Sequence, residues 1–380
     1  MKEFLIIILM LAALGVSAVL AGCSSSKPSD PSGETAAPTA EATVIPTETP
    51  EPTETPSADE TEAPDDLDEP VTFVSAQFEN AIRNKLRIYM DQPVLKRDVL
   101  RVKELDLQSL KLSDIRDIAM FENLNELWIP GSGIEDISPL AGLTKLKKLG
   151  LGYNNIRDIS PLAGLTGLWE LTLAGNPVED LSPLSEMKRL TKLDLGDYIN
   201  PDRTPMTRDI SPIGGLTSLV ELNVITDDLT PISGMTRLSR LCITGSFDNL
   251  GALTDLKELK ELRITCEYGS LDLSGLAACS ALRMLSIQCC ETEDISPLAG
   301  LTGLTMLSLN MMPVSDISPL ANLTNISDLF ISCTNVRDLT PLYGLNKLVE
   351  LGLTFNNIPE SEVQKLREHN PSCYINHEEH

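Results

Sequence analysis

Residues 146–166, LKKLGLGYNNIRDISPLAGLT, determine the fold. Leu146, Leu149 and Leu151 have the spacing L-x-x-L-x-L, which predicts a short strand with its leucines turned inward. Asn154 follows three residues after this strand, where its side chain can satisfy turn backbone groups of adjacent coils. One period later, Ser182 is predicted as an N-cap and Pro183 as the first residue of a short helical turn.

The same pattern recurs along most of the chain. Taking the first apolar residue of each L-x-x-L-x-L as a marker, most steps between markers are 22 residues. The markers are Val102, Leu124, Leu146, Leu168, Leu190, Leu219, Leu238, Leu259, Leu282, Leu304, Ile326 and Leu348. A fixed period of this length predicts a solenoid, in which each coil buries its apolar side only against its neighbours.

The repeats resemble those of the internalin-type leucine-rich-repeat proteins of bacterial surfaces. Asp136 to Thr144, Asp158 to Thr166 and Asp294 to Thr302 carry the sequence DISPLAGLT that supports this resemblance. It implies an α/β leucine-rich-repeat solenoid over residues 102–358, with about 12 coils, a right-handed path, parallel strands on the concave face and short helical or 3-10 turns on the convex face. It also implies a non-enzymatic binding module.

The repeats depart from this pattern in the middle of the array. Asn occupies the turn position only at Asn154, Asn176 and Asn356. Elsewhere that position holds Ser132, Tyr198, Asp227, Ser246, Glu267, Cys290, Met312 or Thr334, so we expect irregular turns there. An insertion of about seven residues around 196–208 should form a projecting loop at the exit edge of the strands, through repeat decay or as a functional loop.

The N-terminus has the features of a lipoprotein signal peptide over residues 1–23. Lys2 precedes an apolar run that ends in Leu20-Ala21-Gly22-Cys23, which resembles a bacterial lipobox. The resemblance implies lipidation of Cys23 and a lipid-anchored position on the outer side of the membrane, in a Gram-positive cell. A plain signal peptide and an uncleaved anchor are the alternatives. The run is rather short for a membrane span.

Residues 24–70 have the composition of a disordered stalk. They are rich in Pro, Thr and Glu, and 13 acidic residues against one Lys give them a charge of −12. Such a segment cannot bury enough apolar surface to offset its chain entropy. It would act as a spacer between the membrane and the repeats.

Both ends of the repeat array are predicted to be capped. Residues 71–101 form a helical N-terminal cap, because Phe78, Ala81, Ile82, Leu86 and Tyr89 recur at helical spacing. Residues 359–380 form a C-terminal capping helix, with Val363 and Leu366 facing inward, and a tail that contains all three histidines. For its HEEH end, a frayed tail is favoured over a metal site.

Seven cysteines lie in or near the repeats, an odd number that is not spaced like a disulfide scaffold. Free thiols in repeat positions are one interpretation. A disulfide between stacked coils is another, and Cys266 with Cys289 are its best candidates because both follow the last apolar strand residue by two positions. Metal binding by Cys289 and Cys290 is disfavoured because no His accompanies them.

Charge and missing motifs exclude several functions. The net charge of −25 disfavours nucleic acid as a partner. Phosphate-binding loops and zinc-hydrolase or serine-hydrolase motifs are absent from the sequence. Glu104 and Glu126 could pair for glycoside hydrolysis, but a solvated ladder of charges is the preferred interpretation. We therefore expect no enzyme, no catalytic residue, no cofactor and no metal.

The concave face is the expected binding site for an extracellular or cell-surface protein or glycan. Exposed aromatic and Met side chains favour binding, although scattered surface hydrophobes without function are an equal alternative. The candidates are Trp128, Tyr153 and Trp169 in one column near the N-terminal end, and Met284, Met306, Met311, Phe330 and Phe355 near the C-terminal end. We predict a monomeric recognition or adhesion module; an envelope-organising lipoprotein that binds a partner of its own cell is the alternative.

Overall fold

A computed structural model describes residues 66–108, 110–196, 208–288 and 290–377. Its centre is a 13-stranded parallel sheet in which the strands follow one another in chain order. The strands are β1 Glu104–Asp106, β2 Glu126–Trp128, β3 Lys148–Gly150, β4 Glu170–Thr172, β5 Lys192–Asp194, β6 Glu221–Ile225, β7 Arg240–Gly245, β8 Glu261–Cys266, β9 Met284–Gln288, β10 Met306–Asn310, β11 Asp328–Phe330, β12 Glu350–Gly352 and β13 Tyr374–Asn376. This arrangement confirms the predicted leucine-rich-repeat solenoid.

The second residue of each strand is an inward-facing aliphatic side chain, which explains the register. Leu127, Leu149 and Leu171 are paired across three successive strands and are buried. The register is kept where the chain carries its insertion, since Lys192 pairs with Glu221 and Leu193 with Leu222. Burial of repeated apolar side chains therefore sets the stacking, whatever the length of the connection.

Short 3-10 turns lie on the side of each coil opposite the strands. They span Arg116–Met120, Ser138–Leu140, Ser160–Leu162, Ser182–Leu184, Ser211–Ile213, Thr230–Ile232, Gly251–Leu253, Ser274–Ala278, Ser296–Gly300, Ser318–Asn322 and Thr340–Leu342. A further 3-10 turn, Asp66–Asp68, precedes the repeats. The predicted capping role of Ser182 is wrong. Its backbone N–H instead donates to Asp180 Oδ1 at 2.8 Å, so the aspartate two residues earlier caps the turn.

The predicted asparagine ladder is confirmed where asparagine is present. Asn154 Oδ1 accepts hydrogen bonds from the backbone of Ser132 (2.9 Å) and Ile134 (3.1 Å) in the preceding coil. Its Nδ2 donates to the carbonyls of Ile129 (2.9 Å) and Leu151 (2.8 Å). One buried side chain thus satisfies four backbone groups of two coils.

The middle coils, without the ladder, have longer strands. β6 to β10 contain five or six residues each, whereas β2 to β5 contain three. In these middle coils, backbone hydrogen bonds between adjacent strands therefore extend into the repeat positions where asparagine side chains support the other coils.

The N-terminal cap contains two helices, α1 Ala76–Leu86 and α2 Lys96–Leu100. Phe78 and Ile82 are buried, and Leu86 packs partly against the core, as predicted. The prediction for Tyr89 is wrong: it lies beyond α1, which ends before the left-handed Arg87, and it is 76% exposed. Residues 66–70, assigned to the stalk by composition, instead lie on the cap, where Asp66 Oδ2 pairs with Lys96 Nζ at 2.6 Å.

The C-terminal cap contains helix α3, Glu360–His369, whose buried residues Val363 and Leu366 confirm the prediction. The tail prediction is wrong as far as residue 377, because the chain after α3 forms β13 beside β12. His369 stacks on Tyr343 with ring centroids 3.9 Å apart. His377 Nε2 lies 2.8 Å from Glu360 Oε2, which lowers the pKa of that carboxyl.

Three predictions concern residues outside the described part of the chain. These are the signal peptide with Cys23, the stalk up to residue 65, and the loop over residues 197–207. In the described part, no helix has the length and apolar character needed to cross a membrane.

Candidate binding surface

The outward side chains of the strands form one continuous surface, here called the sheet face. The first residues of β2 to β8 form a charge ladder of alternating sign, made of Glu126, Lys148, Glu170, Lys192, Glu221, Arg240 and Glu261. Lys148 Nζ lies 2.7 Å from Glu126 Oε1, and Arg240 lies 3.1 Å from Glu221 and 2.7 Å from Glu261. Alternation avoids the repulsion of like charges in directly opposite positions.

Glu170 is the most perturbed carboxylate of the charge ladder. It is half-buried, and this burial raises its pKa, although Lys192 and Lys148 on the two adjacent strands act in the opposite direction. The charge ladder is therefore partly shielded from water at this point.

The strand register separates the three aromatic residues that were predicted to share one column. Trp128 is the third residue of β2 and is paired with Gly150. Trp169 lies one residue before β4, where Lys148 Nζ is 5.0 Å from its ring centroid. Tyr153 lies beyond the end of β3, with φ of 59° and 38% exposure. The prediction of one column is wrong because it ignored the different offsets of these residues within the repeat.

Trp128 lies flat against the adjacent strand. A Cβ atom on Gly150 would lie 2.0 Å from Trp128 Cε3, so only glycine allows the indole this position. Phe330 has the same relation to Gly352, where a Cβ would lie 2.8 Å from Phe330 Cδ1. Two aromatic rings therefore cover glycines of the sheet face, one toward each end of the array.

Met284 and Met306 begin β9 and β10 and are paired in register. They occupy the column of the charge ladder, which is interrupted there by two thioether side chains. Asp328 and Glu350 continue the column on β11 and β12. This column of the sheet face is thus apolar on β9 and β10, whereas it is ionic on β2 to β8.

Met311 and Phe355 belong to a second row at the exit edge, which also contains Cys333. All three have left-handed φ values of 56–58°, a conformation that the repeat fills with glycine at Gly131 and Gly175. Met311 N–H donates to Ser332 O and Cys333 N–H to Thr354 O, both at 3.0 Å, so the row follows three successive coils. Cys333 was missed in the sequence. The sequence signal that could have identified Cys333 is its position directly before the turn position, where Met311 and Phe355 also lie.

Arg208, at the end of the insertion, clamps the exit edge of the middle coils. Its guanidinium binds Asp227 Oδ1 at 2.8 Å and both carboxylate oxygens of Glu267 at 2.7–2.8 Å. Asp227 and Glu267 occupy turn positions without asparagine, and Asp227 Oδ1 also accepts from Ser246 N–H at 2.8 Å. An ionic contact therefore spans coils that lack the asparagine ladder. No pattern in the sequence predicts this role of Arg208.

The predicted disulfide joins a different pair. Cys266 is bonded to Cys290, with Cα atoms 5.1 Å apart, and both residues are buried. The prediction of Cys289 assumed that β9 continues to that residue, but the strand ends at Gln288 and Cys290 turns inward. Cys290 occupies the position that asparagine holds in other coils. A disulfide to the preceding coil therefore takes the place of the asparagine hydrogen bonds. Cys242 is also disulfide-bonded.

Glu104 and Glu126, the carboxylates considered for hydrolysis, are paired in register. Glu126 is engaged by Lys148, which makes it a member of the charge ladder. Within the described ranges, no group of three or more His, Cys, Asp or Glu residues is placed to hold a metal ion.

Comparisons with known proteins agree with this architecture. The family model for leucine-rich repeats matches residues 122–164 and 144–186. The structure of internalin InlF from Listeria monocytogenes is similar, with a TM-score of 0.71 and 28% identity over 81% of this chain and 90% of that one. A TDR receptor shares the fold, with a TM-score of 0.51 and 18% identity over 74% of this chain and 56% of the receptor. No curated protein matches the chain. The repeats, the 3-10 turns and the open parallel sheet make the chain a leucine-rich-repeat solenoid protein that is similar to an internalin.

Proposed function

We propose that the chain is a cell-surface recognition module that binds a protein partner through its sheet face and is tethered by a lipid on Cys23. The observation that carries this proposal is the apolar stretch of the sheet face on β9 to β11, where Met284, Met306 and Phe330 lie partly exposed on adjacent strands. Met and aromatic side chains are enriched in protein interfaces.

The sheet face is suited to exposure to water when no partner is bound. Its apolar side chains are flanked by the charge ladder on one side and by Asp328 and Glu350 on the other. Charged residues at the rim of an apolar patch limit nonspecific association and orient a partner. A partner with an apolar anchor fits this surface better than a small molecule does, because an open sheet provides no enclosure.

The test is capture of extracellular partners by the full chain on beads. Met306→Glu and Phe330→Ala should each abolish or weaken capture of a partner that the unchanged chain retains. Tyr89→Ala removes an exposed aromatic residue from the cap, away from the sheet face, and is the control. If both sheet-face variants retain the partner as well as Tyr89→Ala does, the sheet face is not the binding site. Recovery of envelope proteins of the same cell alone would favour an envelope-organising role over adhesion.

The lipid tether is tested separately. Cells that express the chain should incorporate labelled palmitate into it, and Cys23→Ser should abolish the label and release the protein from the membrane fraction. Label that persists in Cys23→Ser would contradict the anchor but leave the sheet-face proposal unaffected.

A further inference from the structure

Basic side chains are concentrated on one edge of this acidic protein. The entry edge is defined here as the residues directly before and after each marker, where the chain approaches a strand. Nine of these positions hold Lys or Arg and one, Glu258, holds a carboxylate. Five basic residues precede markers: Arg101, Lys145, Arg189, Arg237 and Lys347. Four follow them: Lys103, Lys147, Lys260 and Arg283. The edge is therefore positive on a chain whose net charge is −25.

The charges of the entry edge are not neutralised within the chain. None of its nine basic side chains lies within 4.0 Å of a carboxylate among the described residues. On the charge ladder nearby, by contrast, Lys148, Lys192 and Arg240 each have a carboxylate partner. An unneutralised positive row attracts anions and raises their local concentration.

A cleft of about 490 Å³ opens on this edge near the C-terminal end. Arg283 and Lys347 lie on its two sides, and Gly303, Thr305, Asn325 and Ser327 lie between them. A Cβ atom on Gly303 would lie 2.3 Å from Arg283 Nη1, so glycine at this position leaves room for the guanidinium to extend along the edge. Lys147 lies over Gly167 in the same way, with its Nζ 3.1 Å from the corresponding Cβ position.

The floor of the cleft is polar but uncharged. Thr305 Oγ1 donates to Arg283 O at 3.1 Å, and the Ser327 hydroxyl lies within hydrogen-bond distance of both Thr305 O (3.1 Å) and Asp328 Oδ2 (2.5 Å). Both hydroxyls keep lone pairs for further hydrogen bonds. Lys347 Nζ donates to Asn325 Oδ1 at 2.7 Å and keeps two N–H groups. These hydroxyls and ammonium protons suit a ligand that carries both hydroxyl groups and anionic groups. The cleft lining contains no aromatic residue on which a nucleobase could stack.

The spacing favours a polymer over a small ion. Arg283 and Lys347 belong to coils that are three strands apart, about 14 Å at the usual spacing of strands. At this spacing, the two side chains could each reach a different charged group of one extended chain. We propose that the entry edge binds a linear acidic polysaccharide, with Arg283 and Lys347 each engaging one of its anionic groups. This surface is distinct from the sheet face that carries the proposed function.

Binding of fluorescent dextran sulfate to the full chain tests the proposal, with uncharged dextran of the same length as reference. The unchanged protein should bind dextran sulfate, and its affinity should fall steeply as NaCl is raised. Arg283→Gln combined with Lys347→Gln should weaken binding about tenfold at low salt and reduce the slope of log K against log salt by about 1–2. Arg116→Gln combined with Arg157→Gln removes the same charge away from the entry edge and should leave affinity within about twofold.

Equal loss of affinity in the two double variants would overturn the proposal, since binding would then depend on net charge alone. Equal binding of uncharged dextran would also overturn it. Tighter binding to duplex DNA or to phosphatidylglycerol vesicles would assign the edge to another partner. The proposed function is tested independently, because capture of a protein partner should survive Arg283→Gln with Lys347→Gln and be lost in Met306→Glu.

Discussion

At the scale of single residues, the fold depends on side chains that satisfy buried backbone groups between coils. Asn154 and Asn176 do so with their amides, and Asn356 does so with Thr334 beside it, whose N–H and hydroxyl both reach Asn356 Oδ1 at 2.7 and 2.9 Å. Each of these side chains is buried and serves groups that water cannot reach. The cost of losing one is therefore set by the desolvated partners left behind rather than by the bond itself.

Asn154→Ala should destabilise the protein by about 2–4 kcal/mol, because it leaves several buried backbone groups of two coils without partners. Urea unfolding followed by far-UV circular dichroism measures the change. The neighbouring Asn155→Ala alters an exposed side chain and should cost no more than about 0.5 kcal/mol. Equal losses in the two variants would show that the ladder does not contribute as described.

The aspartate that caps each 3-10 turn gives stability a defined pH dependence. Hydrogen bonds from the backbone and side chain of Ser160 lower the pKa of Asp158, and its counterparts Asp136, Asp180 and Asp294 are perturbed in the same way. A lowered folded-state pKa adds stability above the unfolded pKa of roughly 3.9, and this contribution is lost as pH falls through the folded value. Asp158→Ala should lower the urea midpoint at pH 7, and the gap to the unchanged protein should narrow toward pH 2. Glu135→Ala, an exposed neighbour, should show no such narrowing.

At the scale of elements, the caps close the ends of an open apolar stack. Asp117 connects the N-terminal cap to the first coils, since its buried carboxylate accepts hydrogen bonds from Val74 N–H and Ser75 N–H at 2.8 Å each. Ser75 in turn caps α1, because its hydroxyl accepts from Phe78 N–H at 3.2 Å. One carboxylate therefore fixes both the position and the start of α1.

Asp117→Ala should expose the first coil by loosening α1, at a cost of about 2–3 kcal/mol for two charge-assisted hydrogen bonds. Hydrogen exchange read by mass spectrometry should show faster exchange in residues 74–86 than in the middle coils. Asp114→Ala removes an exposed carboxylate that binds only Arg116 and serves as control. Uniformly faster exchange along the whole array would contradict a local role.

At the scale of the whole molecule, three kinds of contact hold successive coils together. Asparagine amides act toward the two ends of the array, Arg208 spans the exit edge of the middle coils, and the Cys266–Cys290 bond follows directly after them. Where one kind of contact ends along the chain, another begins, so that contacts between successive coils continue along the stack.

Replacing both Cys266 and Cys290 with Ser should lower the free energy of unfolding by about 3 kcal/mol, because the bond closes a segment of 24 residues. Cys373→Ser, which changes a free thiol, is the control. Unfolding in urea with and without dithiothreitol gives the measurement. An unchanged midpoint on reduction would show that packing alone holds these coils.

The predictable features are those with periodic patterns. The markers determined the strands, their order and their register, because leucines at fixed spacing have only one way to be buried together. Arg208 could not be foreseen, because its partner Glu267 lies 59 residues away and only the stacked coils bring them together. The prediction that Trp128, Tyr153 and Trp169 share one column was wrong for a related reason. Their identity is read from the sequence, but their offsets relative to the strands decide which of them are neighbours.

The constant register across the insertion has a consequence for the gene. The step from Leu190 to Leu219 is longer than a repeat, yet β5 and β6 pair as the other strands do. Segments 136–144 and 158–166 are identical in sequence, so recombination between the stretches that encode them would remove one complete coil and rejoin the same turn. The product would keep its reading frame, its caps and a continuous core. The array can therefore become longer or shorter by one whole coil at a time, while the surface residues of each coil change separately.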